Sequence, residues 1–234
     1  MTLIDEYLDE SIKYSNKYGT NTVVLMQVGH FYEAYAVDNK LEKINADNLE
    51  KLANIMNIQV TRKNKSIIEN NRSNPIMIGV NIYSIDKYIQ ILLNACYTIV
   101  LIEQVGQPPY LKRAVTNIYS PGTNIQYDMG DTNNLVCIYL EEIELKQKFQ
   151  TNLCCGITSI DLATGKNTVY ETFSRKDDLN FALDELFKFI QIYDPKELLV
   201  ITKNMSRTEE EITHYLNLSE RIVHFKKTEE CEPH

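Results

Sequence analysis

Between Thr22 and Val28 the chain carries a nearly unbroken apolar run (Val23, Val24, Leu25, Met26, Val28), closed by Gly29-His30 and followed by Phe31-Tyr32-Glu33-Ala34-Tyr35. The run is short, rich in β-branched residues and bounded by turn formers, which predicts a buried strand. If extended backbone resumes after the turn, Phe31, Glu33 and Tyr35 share one face, and His30, Tyr32 and Ala34 share the other. An apolar ring and a carboxylate then stand side by side on one surface. On a helix, positions i and i+2 diverge instead.

The same patterning predicts the rest of the first half. Thr2-Leu3-Ile4-Asp5 reads as a capping box with Asp in the acid position. Leu3, Ile4, Tyr7, Leu8 and Ile12 recur at helical spacing, so a helix to about Lys17 follows, with Gly19 as its stop. Leu49, Leu52, Ala53 and Met56 mark a helix over 47–56, and 58–61 reads as a short strand. Residues 63–74 are polar and aperiodic, the composition of a mobile loop. A strand over 76–80, a helix capped by Ser84 and running to Ala95, and strands over 98–103 and 114–119 complete the unit.

Pro121, Gly122 and Gly130 in a stretch of low apolar content read as an interdomain linker over 121–133, between a domain at 1–120 and another at 134–234. In the second domain, strands are expected at 135–142, 153–161 and 168–172. A helix over 177–193 presents Leu179, Leu183, Leu186, Phe187 and Ile190 on one face and ends before Pro195. A strand at 197–201, a helix at 208–216 and a strand at 222–225 close an α/β layered arrangement.

Composition narrows the function. The chain is 44% hydrophobic and 24% charged, with a net charge of −8, which argues against a free-standing nucleic-acid binder. Positive charge is local, at Arg62, Lys63 and Lys65 and at Lys112 and Arg113. Five cysteines form no Cys-x-x-Cys pair and read as reduced, mostly buried thiols of an intracellular, reducing compartment. Four histidines show no metal-ligand spacing. No apolar stretch reaches the length of a membrane span, and the acidic N-terminus is neither a signal nor a transit peptide. Gly165-Lys166-Asn167 lacks the first glycine and the Ser/Thr of a P-loop. The ending Cys231-Glu232-Pro233-His234 carries no natural terminus signature and reads as the edge of an excised piece.

On pattern alone Phe31 is a core ring and Glu33 a solvated rim residue. Six collinear motifs change that reading: Gly29-His30-Phe31-Tyr32-Glu33; Thr61-Arg62-Lys63; Pro75-Ile76-Met77-Ile78-Gly79-Val80; Glu103-Gln104-Val105-Gly106-Gln107-Pro108; Arg113-Ala114-Val115 leading to Ser120-Pro121-Gly122-Thr123; and Gly156 to Gly165 with Asp161 between. Together they resemble the N-terminal part of the MutS mismatch-recognition family, whose run at the first position is Gly-Asp-Phe-Tyr-Glu. His30 replaces that Asp, and Asn81 and Tyr83 replace a Pro and a His common in the following turn. The richness in Asn, Ile, Lys and Tyr suggests an AT-rich genome, viral or organellar.

The resemblance implies a mixed-sheet α/β mismatch-recognition domain followed by a ribonuclease-H-like α/β connector domain. It implies that Phe31 wedges into the minor groove and that Glu33 contacts a base edge, with Arg62, Lys63, Lys65, Lys112 and Arg113 on phosphates. Tyr32, on the opposite face, is expected to be core, and His30 to be a solvated or locally hydrogen-bonded imidazole. The implied partner is double-stranded DNA with mismatches or small loops, the full-length protein acting as a dimer with a possible repair partner on the connector. The ATPase, with ATP and Mg, belongs downstream, so this chain holds no cofactor and no catalytic residue. Two rival readings stand beside this one. The chain is a protein-interaction module without damage recognition of its own, or Asp161 belongs to a ribonuclease-H-like nuclease. Against the nuclease, no partner carboxylates cluster in the sequence, and an Asp before a glycine-containing turn is commonly structural.

Overall fold

The computed structural model describes every residue except 1, 108–109, 128–131, 146–149 and 232–234. Pro108 of the Glu103 motif and part of the expected linker therefore lie outside the described residues. The chain divides into two compact units, Met1–Pro121 and Gly122–His234, each a mixed α/β layer structure.

The first unit opens on α1 (Leu3–Tyr18). The Thr2 hydroxyl accepts from the Asp5 N–H at 3.2 Å, and the Asp5 carboxylate accepts from the Thr2 N–H at 3.0 Å. This reciprocal pair satisfies two of the donors a helix start leaves open. Gly19, at φ +95°, ends the helix. There follow β1 (Thr22–Val28), β2 (Phe31–Asp38), β3 (Lys43–Ile44), α2 (Ala46–Met56), β4 (Thr61–Arg62), β5 (Ile76–Asn81), α3 (Ile85–Asn94), β6 (Thr98–Val105) and β7 (Lys112–Tyr119). The sheet runs β4-β5-β2-β1-β6-β7, with β3 beside β2. β1 is parallel to β6, while β1–β2, β2–β5 and β6–β7 are antiparallel. Residues 22–26 of β1 are all buried, as expected of a central strand covered on both faces. β7 forms one edge and is largely exposed.

Three local expectations are corrected. The short strand is Thr61–Arg62, not 58–61. Ser84 does not cap α3 with its side chain. Instead the Asn81 side chain accepts from the Tyr83 N–H at 3.0 Å and opens a 3-10 turn, Ile82–Ser84, ahead of the helix. The Ser84 hydroxyl donates to the Asn81 carbonyl at 3.0 Å. The 63–74 loop, expected to be mobile, is stitched down by polar side chains. Arg72 donates to both oxygens of Glu42 and, at 3.0 Å, to Asp5. The buried Asn74 amide donates to the Asn64 and Ile67 carbonyls at 3.1 and 3.2 Å. Hydrophobic periodicity is blind to order held by hydrogen bonds.

The second unit contains β8 (Asn134–Leu145), β9 (Gln150–Asp161), β10 (Asn167–Phe173), α4 (Phe181–Tyr193), β11 (Glu197–Lys203), α5 (Glu209–Tyr215) and β12 (Ile222–Lys227). The sheet order is β10-β9-β8-β11-β12: an antiparallel meander extended by two strands parallel to its first. Alternate residues of β8 (Val136, Ile138, Leu140) and β9 (Leu153, Cys155, Ile157) meet Ala182, Leu183, Leu186, Phe189 and Ile190 of α4 and Ile212 of α5 in one core. α4 begins at Phe181, not 177, because Asp178 closes a turn on the Asn180 N–H at 3.0 Å. Leu179 therefore lies outside the helix and is exposed, and Phe187, expected on the apolar face, is exposed as well, with Phe189 in the core instead.

Part of the expected linker is built into this unit. The Gly122 N–H donates to Glu197 Oε2 at 2.7 Å, and the Asn133 amide donates to the Asn124 carbonyl at 3.2 Å. Glu197 is a buried carboxylate whose other oxygen lies 2.7 Å from His224 Nε2. The cysteines are all free, but only Cys155 is buried. Cys96, Cys137 and Cys154 are half-buried and Cys231 is exposed, against the expectation of mostly buried thiols. Burial pushes the Cys155 thiol up to about 12. No helix among the described residues is long and apolar enough to cross a membrane.

Two predictions test this architecture. A Cβ at Gly122 would fall 2.7 Å from Glu197 Cβ and Oε2 and 3.0 Å from Leu135 Cδ1. Gly122→Ala should therefore lower stability by about 1–3 kcal/mol in urea unfolding; an unchanged midpoint would show that Glu197 can swing away at no cost. Asp5 is held at about 2 by the Thr2 backbone and hydroxyl and then by Arg72. Its folded value is depressed, so its contribution is complete above the ordinary carboxylate range of about 4 and is lost as pH falls through about 2. Asp5→Asn should differ from wild type in far-UV helicity and unfolding midpoint at neutral pH, and the difference should vanish toward pH 2.

Candidate nucleic-acid interface

A two-residue loop joins β1 to β2, since Val28 and Phe31 are paired across the hairpin. Gly29 takes the first central position at φ +60°, the conformation that primed hairpin turns demand and glycine supplies. The His30 side chain is exposed, while its carbonyl accepts from the Ile82 N–H at 3.1 Å, tying the turn to the end of β5. Phe31 is thus the first residue of an interior strand, between Val28 and Asn81.

The two faces of β2 meet different surroundings. On the face that α1 covers, the Tyr7 and Tyr35 rings pack edge to face at 5.1 Å and 76°. Tyr35 is 5% exposed, Glu33 is partly buried, and Phe31, about 13 Å further along at strand spacing, is 46% exposed. On the other face Tyr32 is 5% exposed and Ala34 is buried. The Tyr32 hydroxyl donates to Glu103 of β6. Burial, and then that carboxylate, push its phenol far above the ordinary tyrosine range. Tyr32 is therefore core with its polar tip satisfied, as read from the sequence.

Glu33 has two notable neighbours. The Tyr35 hydroxyl, two residues along the same face, donates to Glu33 Oε2. Directly across on β5 lies Gly79, where a Cβ would sit 3.5 Å from Glu33 Cγ. Glycine there leaves the flank of the carboxylate uncovered. Sequence reasoning missed Tyr35 as a partner of Glu33, although a phenol and a carboxylate two positions apart on a strand were already a visible donor–acceptor pair.

The basic residues do not gather as one site. Arg62 pairs with Ile76, which in turn pairs with Ala36, so it lies toward the opposite end of β2 from Phe31. Its guanidinium donates to the Ile67 carbonyl at 3.3 Å and to that of Ile68, so it is engaged inside its own loop. Lys63 and Lys65 are exposed in that loop. Lys112 and Arg113 pair with Val105 and Gln104, near the end of the sheet that carries the β1–β2 turn. Lys112 is exposed. Arg113 is largely covered, with Nη1 3.5 Å from Glu6 of α1 and a buried Nε that has no hydrogen-bond partner among the described residues.

In the second unit, Asp161 is occupied structurally. Its carboxylate accepts from the Asn133 and Ala163 N–H groups at 3.0 and 3.1 Å and from the Thr164 hydroxyl at 2.6 Å. The Thr164 contact and then the Asn133 backbone hold it below its usual range. No group of three or more His, Cys, Asp or Glu residues among the described residues is arranged to hold a metal.

Residues 11–128 match the family model described as MutS domain I. A DNA mismatch repair protein mutS homologue of Acanthamoeba polyphaga mimivirus is 33% identical over 229 residues, covering 96% of this chain and 20% of that protein. DNA mismatch repair proteins MutS of Thermotoga maritima and of Streptococcus agalactiae are 24% and 27% identical, covering 84% and 87% of this chain and 21% of each relative. The chain thus spans about a fifth of the length of these curated relatives. With these matches across both units' sequence, the chain belongs to the MutS DNA mismatch-repair family.

Proposed function

We propose that this chain is the DNA-probing part of a mismatch-recognition protein and that Phe31 and Glu33 do the probing. The observation that carries the reading is the fate of three neighbouring aromatics. Tyr32 and Tyr35 are buried, while Phe31, at the turn end of the same strand, is half exposed beside a carboxylate. A ring there contributes little to the core and is free to enter the minor groove. Inserting it partly unstacks a base step, at a cost on the order of a few kcal/mol. A mispaired base has less pairing and stacking to lose, so the same insertion costs less at a mismatch. Discrimination is then read largely as deformation energy. Glu33 accepts a hydrogen bond from an exposed base edge when the pair has opened, and its charge repels the phosphates of a rigid, matched duplex.

Phosphate contacts are few in this reading. Lys63, Lys65 and Lys112 are free to reach the backbone, whereas Arg62 and Arg113 are engaged inside the protein. With a net charge of −8, the chain alone should bind duplex weakly. Affinity would come from the rest of a longer protein working as a dimer, with its ATP- and Mg-binding ATPase outside this chain. The strand order of the second unit supports a ribonuclease-H-like connector, and the turn-bound Asp161 supports a structural role for that residue over cleavage. The same acidic balance also favours a second reading, in which the chain mainly docks a repair partner and DNA contact has been lost.

Two measurements of duplex binding by fluorescence anisotropy, on the complete gene product at one low salt concentration, separate these readings. Phe31→Ala should bring the ratio of mismatched to matched affinity close to one; equal loss on both duplexes would count against a wedge. Glu33→Gln should tighten binding to matched DNA by about three- to tenfold, as one like-charge repulsion is removed. A ratio unaffected by either substitution would favour the docking reading.

A further inference from the structure

We infer that Tyr35 is the positioning residue for Glu33: its hydroxyl fixes which carboxylate oxygen is turned toward DNA, and mismatch discrimination depends on that bond. The inference rests on the proposed probing role of Glu33 and goes beyond it by assigning a residue that never touches DNA.

The geometry is specific. A phenol carries one proton, and Tyr35 donates it to Glu33 Oε2, leaving Oε1 as the free acceptor. Glu33 Cγ lies over Gly79, which has no side chain to pack against it, so the neighbouring strand adds no side-chain restraint of its own there. An unrestrained Glu loses rotamer entropy when it engages a base, whereas one already held by a hydrogen bond loses less. Tyr35 is itself well fixed. Its ring is buried against Tyr7, and its carbonyl accepts from the Asn45 side chain at 3.3 Å. The restraint therefore runs from α1 through a rigid ring to the carboxylate. Burial, and then Glu33 itself, push the Tyr35 phenol far above the ordinary tyrosine range; Tyr7 adds to this and Arg113 of β7 opposes it. The hydroxyl remains a donor at any pH suited to a binding assay.

The test uses Tyr35→Phe in the complete gene product, because it removes the hydroxyl and keeps the ring. Tyr97→Phe is the control: it likewise removes a hydroxyl from a buried ring of this unit, one that donates to Asn48 Oδ1 at 3.0 Å and not to Glu33. Mismatched-to-matched affinity ratios are measured for Y35F, Y97F, F31A, E33A and E33A/Y35F, with urea unfolding of each. Y35F is expected to lower the ratio about three- to tenfold, Y97F to leave it unchanged, and Y35F to have no further effect once Glu33 is Ala. A fall in Y97F equal to that in Y35F, or an equal effect of Y35F with and without Glu33, would show a merely structural role and overturn the inference. So would an intact ratio in Y35F while F31A abolishes it. If F31A and E33A also leave the ratio intact, the probing role itself fails, and the positioning role fails with it.

Discussion

The first unit is organised by one constraint: a β-strand sends successive side chains to opposite faces, and β2 is interior, so both of its faces must be accounted for. Along most of the strand they are covered. Tyr35 lies under α1, and Tyr32, Ala34 and Ala36 are buried on the other side. Cover ends at the turn, where a glycine at positive φ reverses the chain within two residues. Phe31 is therefore held by the hydrogen bonds of two neighbouring strands while its ring escapes the core. In the proposed role this arrangement would combine a fixed backbone with an unburied side chain. The same ring on a loop would lose conformational freedom on every encounter with DNA.

The polar chemistry follows the same division. Tyr32 and Tyr35 each bury a ring and each donate a hydrogen bond to a carboxylate, Glu103 and Glu33. On the buried face this satisfies a polar tip inside the core. On the other face it reaches toward the rim, so the packing that stabilises the sheet also restrains an acid beside the exposed ring. Gly79 is the complementary choice on β5, because any larger side chain directly across would begin to cover that acid.

Much of this was legible in the sequence, and the failures are informative. The capping box at Thr2 and Asp5, the buried run of β1 and the alternation of β2 follow from periodicity and end chemistry, and the structure carries all three. The exposure of Phe31 was not legible, because pattern alone favours a buried ring; the motif resemblance supplied that expectation. The roles of Arg62, Arg72, Arg113 and Asn74 were hidden for another reason. Their partners, Ile67 and Ile68, Glu42 and Asp5, Glu6, and the Asn64 carbonyl, are set by how loops close and helices dock. A sequence shows the charge of an arginine and not which groups neutralise it.

That distinction decides how an acidic chain can take part in DNA recognition. Phosphate contact supplies affinity without regard to pairing, and a surface rich in free arginines would hold matched and mismatched duplexes alike. Here Arg62 and Arg113 are spent on internal contacts, and a carboxylate stands beside the ring proposed to meet the base step. In that reading each choice would weaken binding to any duplex, and the loss would fall hardest on DNA that does not yield. In the proposed mechanism, a duplex that opens would let the ring enter and give Glu33 a donor to accept from, whereas a rigid one would meet only steric and charge repulsion. Low intrinsic affinity is then a condition of selectivity, since discrimination between two duplexes grows from what is withheld from the wrong one as much as from what is offered to the right one.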